Sequence, residues 1–428
     1  MKLELIQHPL RLRADPTRVV VRPFNLAWQA SGAESSRTGR LVKRILALDR
    51  RSVRAELALV YQEFGTRHWQ MRNVFKSRFE DVAAQLQLDV QSIRSESCEL
   101  IGAYFCHEYS FASAAIMNPS ITLHPDQSGL EPDSHRIIMT ERAVGEGHIS
   151  SIAFREGIVS ADRSFQVMSL PPLATAASLA KGATENADGS VTVFRDDESS
   201  ISGTVLFPVT EAQRNGLEDL RITRFHNEAG EREWLGTYTA YSGSSIQSEL
   251  LQTKDFKSFN LIPMRGSAAS NKGMALFPRK FDGEYLMIGR YDGENLFLLR
   301  SRDVTEWSTG ELILSAKYPW EYVQIGNCGP PIELDEGWLL LTHGVGAMRK
   351  YSVGAVLLDK HNPAIVLGRT EHPILSAADQ DREGYVPNVV YTCGAMRVGG
   401  DIFMPYGVAD SSIAFAFISI SSLLKQIT

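Results

Sequence analysis

The chain has 428 residues, 43% of them hydrophobic and 22% charged, a balance near globular averages that excludes a wholly disordered, collagen-like or disulfide-scaffold protein. At about 150 residues per domain the length allows two or three domains, or one large all-β domain. The 44 Lys and Arg against 50 Asp and Glu leave a net charge of −6, so no global positive excess is available to hold nucleic acid.

The amino-terminal stretch mixes Lys2, Glu4, Arg11, Arg13 and Asp15 among apolar residues and lacks the uninterrupted apolar core of a secretory signal. The most apolar late run, residues 413–424, is broken by serines and is well short of the roughly 18 to 20 residues needed to span a bilayer. A soluble chain without membrane partners is expected. Cys98, Cys106, Cys328 and Cys393 form no CxxC pair, which fits reduced thiols in a cytoplasm better than a disulfide frame or zinc site.

Residues 37 to 97 read as helices. Leu41, Ile45, Leu48, Val53, Leu57, Val60 and Phe64, then Trp69, Val74, Phe75, Phe79 and Val82, recur at three-to-five-residue spacing between charged positions, as on amphipathic helices. A turn at Gly65 and Thr66 separates two of them, and Asp89 or Ser92 is placed to cap a short third piece. The basic positions Lys43, Arg44, Arg50, Arg51 and Arg54 are interleaved with acids and have no aromatic platform, so a solvated face or subunit contact is the simpler reading. Residues 1–97 are therefore expected to form an N-terminal extension that joins subunits of a homo-oligomer.

From about Tyr104 the pattern becomes short strands punctuated by Gly, Asp, Asn and Pro: residues 136–140, 234–241, 285–290, 296–300, 338–343, 353–358 and 401–406. Phe281-Asp282-Gly283-Glu284 and Tyr291-Asp292-Gly293-Glu294 sit between strands at hairpin spacing. Similar strand openings recur at residues 118, 218, 277, 329 and 386. Most of these steps are near fifty residues, the length of a propeller blade of several strands. The one long step contains residues 170–215, read as an insertion over one face. The expectation is an all-β, five-bladed β-propeller over 98–428, with a β-sandwich as the competing architecture.

At these marks the sequence resembles glycoside hydrolase family 130, the β-mannoside phosphorylases and β-mannosidases built on a five-bladed propeller. The resemblance spans residues 100 to 425 and rests on Asn118-Pro119-Ser120, Arg142 to Gly145, Gly216 to Arg221, Asn271-Lys272-Gly273, Gly289-Arg290, Gly329 to Ile332, Gly337 to Val345, Tyr351 to Asp359, Val386 to Val390 and Tyr406 to Asp410, in that order. It implies that Asp219 is the proton donor, with Leu220 where the family usually has proline. Cleavage needs an acid at the leaving oxygen because a sugar alkoxide leaves poorly. Glu218 is its nearest rival. Lys272, Arg290, His343 and Tyr351 match phosphate-binding positions, a set whose cations would offset a dianion and orient it. Asn118, Arg142 and Asp410 match residues that hold the nonreducing mannosyl unit. His107, Glu108, Tyr109, Glu146, His148, Tyr241 and Asn388 are further candidates for the same face.

The resemblance implies an inverting phosphorylase that takes β-mannosides and inorganic phosphate to α-mannose 1-phosphate. Phosphate serves as co-substrate, no other cofactor is implied, and the proton passes to the aglycone oxygen through a sugar hydroxyl. Two alternatives stand beside it. An inverting β-1,2-mannosidase would need a second carboxylate as base, with Glu141 or Glu146 available. A noncatalytic sugar-binding propeller is permitted by fold alone. No metal site is expected, since the histidines show no HExxH or paired His-Cys spacing.

Overall fold

The computed structural model describes residues 3–24, 36–180, 184–227 and 229–428. Parts of two expected segments, residues 1–2 and 25–35 of the extension and 181–183 of the insertion, lie outside the described residues. The chain divides into two compact units. The smaller comprises Pro16–Phe111 with Pro172–Ala176, and the larger takes the residues up to Asp15 together with 112–171 and 177–428.

In the smaller unit, four helices bury their apolar stripes on one another: α1 (Arg37–Leu46), α2 (Arg50–Phe64), α3 (Met71–Leu86) and α4 (Ser95–Tyr104). Val42, Ile45, Val53, Leu57, Phe79, Val82, Leu100, Ile101 and Phe105 form one core. The periodicity through 41–64 suggests one helix, but the chain breaks it at Asp49, whose carboxylate accepts from the Ser52 amide at 2.7 Å and starts α2 anew. Asp89 caps the one-turn helix Val90–Ser92, accepting from the Gln91 amide.

The larger unit is almost entirely antiparallel sheet, and every stretch read as a strand from the sequence is one. The Phe281–Glu284 hairpin turn has Asp282 and Gly283 both at positive φ and paired amides and carbonyls at its ends, the backbone that a tight two-residue hairpin requires. Four sheets of unequal size result. In the largest, the group Ala115–Leu123, Ser134–Val144 and Ser150–Ser160 meets the group from Gly216–His226 to Ser258–Pro263 through the single parallel pair Gly216–Ser150.

Two boundaries differ from the expectation. The division expected at 97/98 fails at both ends. Leu5–Arg13 is a strand of the larger unit, paired antiparallel with Ser412–Ser419, whereas Cys106–Ser110 pairs with Val19–Pro23 in the smaller one. The 170–215 segment is more than an insertion over one face, in keeping with the strand-like pattern of its residues 190–195: Val191–Phe194 pairs with Ser258–Pro263, because its alternating Val191 and Val193 side chains enter the core.

One buried cluster of the larger unit ties stability to pH. Glu249, almost fully buried, accepts from Gln213 Nε2 at 2.6 Å and from the Tyr238 hydroxyl. Burial pushes its carboxyl above the usual range, the two hydrogen bonds oppose this, and the Glu185 charge adds to the rise. A raised folded-state value means that its stabilising contribution is complete below the unfolded carboxyl value near 4.5 and declines as pH rises above it. Glu249→Gln keeps the shape without the titration. Its thermal midpoint should exceed that of the parent by a few degrees near pH 8, with the gap closing towards pH 4 in scanning calorimetry. An equal or lower midpoint at pH 8 would contradict the assignment.

Candidate active site

Two matching β-bulges aim the central residues. Between the pairs Met117–Arg142 and Ser120–Thr140 the first strand carries one extra residue, and the same slip recurs between Glu218–Thr239 and Arg221–Thr237. Asn118 and Asp219 sit in these bulges with φ of 49° and 59°, a left-handed conformation that a bulge can hold and that re-aims a side chain. Leu220, in place of the usual proline, buries its side chain in the core and the bulge forms without it. Asp410 has φ of 48° in the turn between Asp401–Val408 and Ser412–Ser419.

All eight residues singled out in the sequence line one cavity of about 200 Å³: Asn118, Arg142, Asp219, Lys272, Arg290, His343, Tyr351 and Asp410. Asn118 Nδ2 donates to Asp219 Oδ1 at 2.7 Å, and Arg142 Nη1 lies 3.3 Å from the same oxygen. Arg142 Nη2 reaches Glu218 Oε1 at 2.6 Å, and Lys272 Nζ holds Glu218 Oε2 at 3.0 Å. Glu218 thus lies behind the lining as a bridge between two cations. The imidazole of His343 has room because Gly326 opposes it: a Cβ there would stand 2.3 Å from His343 Cε1.

The electrostatics favour anions at one side and mixed hydrogen bonding at the other. Burial opposes ionisation of Asp219, but Arg142, Arg221, Asn118 and Lys272 together hold its carboxyl below the usual range. Asp410 goes the opposite way, pushed up to about 6 by burial and by the Asp219 charge, against Arg142 and Arg349. His343 is held well below its usual value by burial and by Arg290 and Arg221, so the ring is neutral. Its Nε2 faces Arg290 Nη1 at 3.5 Å and Gln324 Nε2 at 3.3 Å. A guanidinium only donates, so Nε2 carries the lone pair. Arg290 Nε and Asn118 Oδ1 are buried without hydrogen-bond partners, a cost that a ligand in the cavity would remove.

The structure separates the remaining candidates. His107, Glu108 and Tyr109 belong to the smaller unit, in the strand Cys106–Ser110, and Glu108 pairs with His68 and Arg67. Glu141 is buried in an ion pair with Arg155 at 2.9 Å. Glu146, His148, Tyr241 and Asn388 are not among the lining residues: His148 meets the Tyr385 hydroxyl, Tyr241 donates to the Gly243 carbonyl, and the Asn388 carbonyl accepts from the Tyr351 amide. Four polar lining residues escaped the sequence reading: Arg221, Gln324, Arg349 and Tyr391. Only Arg221 left a signal, as the last residue of the quoted 216–221 motif. No group of His, Cys, Asp and Glu among the described residues is arranged to hold a metal ion, and no described helix is long and apolar enough to cross a membrane.

The model of glycoside hydrolase family 130, described as beta-1,4-mannooligosaccharide phosphorylase, matches residues 197–428. A beta-1,2-mannobiose phosphorylase from Listeria innocua is 34% identical over 232 residues, covering 52% of this chain and 63% of that protein. A 1,2-beta-oligomannan phosphorylase from a Thermoanaerobacter species is 33% identical over 223 residues, 50% of this chain and 72% of that one. The match therefore spans just under two thirds of the Listeria protein. Among solved structures, the Listeria enzyme in complex with beta-1,2-mannobiose covers 73% of this chain and 92% of its own, with a TM-score of 0.50 at 24% identity. A glycoside hydrolase from Bacteroides ovatus reaches a TM-score of 0.54 at 18% identity, covering 74% of this chain and 90% of its own. At these identities the structural likeness is one of fold.

The opposed carboxyls are open to direct measurement. Carbon-detected NMR of the aspartate carboxyls should find the Asp410 midpoint near pH 6 and, in Asp219→Asn, lower, because the like charge beside it is gone while the burial remains. An Asp410 midpoint that stays put in that variant would break the link between the two groups.

Proposed function

The chain belongs to glycoside hydrolase family 130, and on that premise we propose that it is an inverting glycoside phosphorylase cleaving β-mannosides with inorganic phosphate to α-mannose 1-phosphate. The observation that carries this reading is the charge of the cavity. Arg142, Arg221, Lys272, Arg290 and Arg349 line it against Asp219 and Asp410, with Glu218 behind, which leaves two positive charges for a dianion to offset. The phosphorylase names of the relatives support the same assignment.

In this reading Lys272, Arg290, His343 and Tyr351 hold phosphate, while Asn118, Arg142 and Asp410 hold the mannosyl unit. A phosphate oxygen attacks the anomeric carbon from the face opposite the aglycone. As that bond forms, the glycosidic C–O bond breaks, and the aglycone oxygen takes a proton that originates on Asp219 and passes through a sugar hydroxyl. In the ligand-free site the surrounding cations keep Asp219 ionised. Bound phosphate offsets those cations, so the carboxyl can carry its proton when substrate is in place. The strands support a five-bladed propeller as the scaffold, falling into five consecutive antiparallel groups, the last completed by Leu5–Arg13.

The hydrolase alternative would have to recruit Asp410 as base, since Glu141 is committed to Arg155 and Asp219 and Asp410 are the carboxylates lining the cavity. A noncatalytic site is disfavoured by Asp219 sharing that cavity with Arg142 and Asp410. A homo-oligomer formed through the helical unit, and a cytoplasmic setting, belong to the same proposal. Residual exposure of Leu46, Leu48 and Leu59 supports the first and four free thiols the second.

Incubation with β-mannosides in phosphate-rich and phosphate-free buffer tests the reading. Mannose 1-phosphate should form only with phosphate, Arg290→Ala should raise the phosphate KM about ten- to a hundredfold, and Asp219→Asn should cost about 10²- to 10⁴-fold in turnover. Free mannose released at equal rates in both buffers would sink the phosphorylase assignment. Light scattering at micromolar concentration should show a particle larger than the 47.5 kDa chain, and a monomer would remove the oligomer.

A further inference from the structure

Tyr391 lines the cavity without having been assigned any part in it. It ends the short strand Val390–Tyr391, paired with Asp401–Val408. Its ring stands 4.8 Å from that of His343 and 6.3 Å from that of Tyr351. The hydroxyl accepts from Arg221 Nη2 at 2.7 Å. Because a guanidinium offers donors only, this bond consumes a lone pair of the phenol and leaves its proton uncommitted, and no described group accepts that proton.

The neighbours of the hydroxyl define what it faces. Arg221, which holds the hydroxyl, also donates to the Asp219 carbonyl at 2.8 Å, and His343, whose ring neighbours that of Tyr391, has its Nε2 3.5 Å from Arg290 Nη1. Tyr391 therefore lines the cavity beside His343 and Tyr351 of the proposed phosphate set, with its hydroxyl on the arginine that also holds the Asp219 carbonyl. Burial keeps the phenol protonated and able to donate.

We propose that Tyr391 is a further phosphate ligand of this site, its hydroxyl oriented by Arg221 to donate to a phosphate oxygen other than the attacking one. The inference rests on the phosphorylase reading above. A neutral donor suits the position: the cavity already carries the charge that a dianion offsets, and a fixed O–H adds affinity without further cation repulsion beside Arg221 and Arg290. A bond to a nonattacking oxygen exists before and during the reaction, so its loss falls on the KM for phosphate and leaves turnover at saturation nearly unchanged. A purely structural Tyr391 would behave differently. If the hydroxyl served only to hold Arg221, its loss would pass through Arg221 to the Asp219 carbonyl, and turnover and mannoside KM would suffer together. As a phosphate ligand, its loss leaves Arg221 anchored on the Cys328 and Asp219 carbonyls and falls on phosphate alone.

Steady-state kinetics of Tyr391→Phe with phosphate and mannoside varied in turn make the test. The expected result is a phosphate KM raised about tenfold or more, with mannoside KM and saturated turnover within about twofold of the parent. An unchanged phosphate KM, or a joint loss in turnover and mannoside KM, overturns the proposal. Where that variant does not fold, 3-fluorotyrosine introduced at position 391 changes little beyond the acidity of the donor and should lower the same KM; no change there counts against the proposal equally. A parent enzyme indifferent to phosphate would defeat the phosphorylase reading itself, whereas a phosphate-dependent parent with an indifferent Tyr391→Phe defeats only this inference.

Discussion

The buried guanidinium of Arg221 holds the candidate site together. Its Nε donates to the Cys328 carbonyl at 3.1 Å, Nη1 to the carbonyl of Asp219 at 2.8 Å and Nη2 to the Tyr391 hydroxyl at 2.7 Å. Three stretches of chain, two of them more than a hundred residues from Arg221, thereby share one cation. Asp219 and Tyr391 raise the tendency of Arg221 to stay charged, and burial opposes them. Losing one of these bonds to a charged group costs about 1.5–3 kcal/mol. The bond to the Asp219 carbonyl also bears on the bulge, since it fixes the peptide that follows the one residue held at φ of 59°.

The sequence made part of this legible and hid the rest for physical reasons. Residues 118 and 218 stood out as recurring strand openings, and each marks a bulge with the same one-residue slip. Pro119 follows the first and Leu220 the second, so the conformation comes from the ladder and from Arg221, with proline optional. The eight residues given a role by the resemblance share the cavity: Asn118 and Asp219 are aimed by bulges within strands, Arg142 and His343 lie in strands, and Lys272, Arg290, Tyr351 and Asp410 lie at strand ends, in a loop or in a turn. Arg221 and Tyr391 were opaque in their roles. An arginine two residues after an aspartate has no visible function until Cys328 and Tyr391 are brought to it from other parts of the chain.

The expectations that failed did so where local pattern and tertiary pairing compete. His107, Glu108 and Tyr109 form a polar run near the first strands, but the run pairs with Val19–Pro23, and its register takes it into the helical unit. Leu5–Arg13, with its arginines and proline, does not read as a core strand. It is an edge strand, and one half-exposed face tolerates them. The periodicity through 41–64 reads as one helix, but the chain separates α1 and α2 at Asp49 and completes the shared core with α3 and α4.

Lys272, a cation of the proposed phosphate set, joins Arg142 and Arg221 in holding Asp219 ionised, and this gives the proposed reaction an order. Water entering an empty anion site would meet a carboxylate with no proton to give, so the leaving oxygen would have to depart as an alkoxide. A dianion seated on Lys272 would offset part of the field on Asp219 and, with Asp410 ionised nearby, shift the balance towards a protonated acid. Nucleophile and proton then become available together. A preference of the proposed reaction for phosphate over water would then reside less in excluding water than in withholding the acid until the anion arrives, and the charge on Lys272 would bear on the chemistry at Asp219 as much as on phosphate affinity.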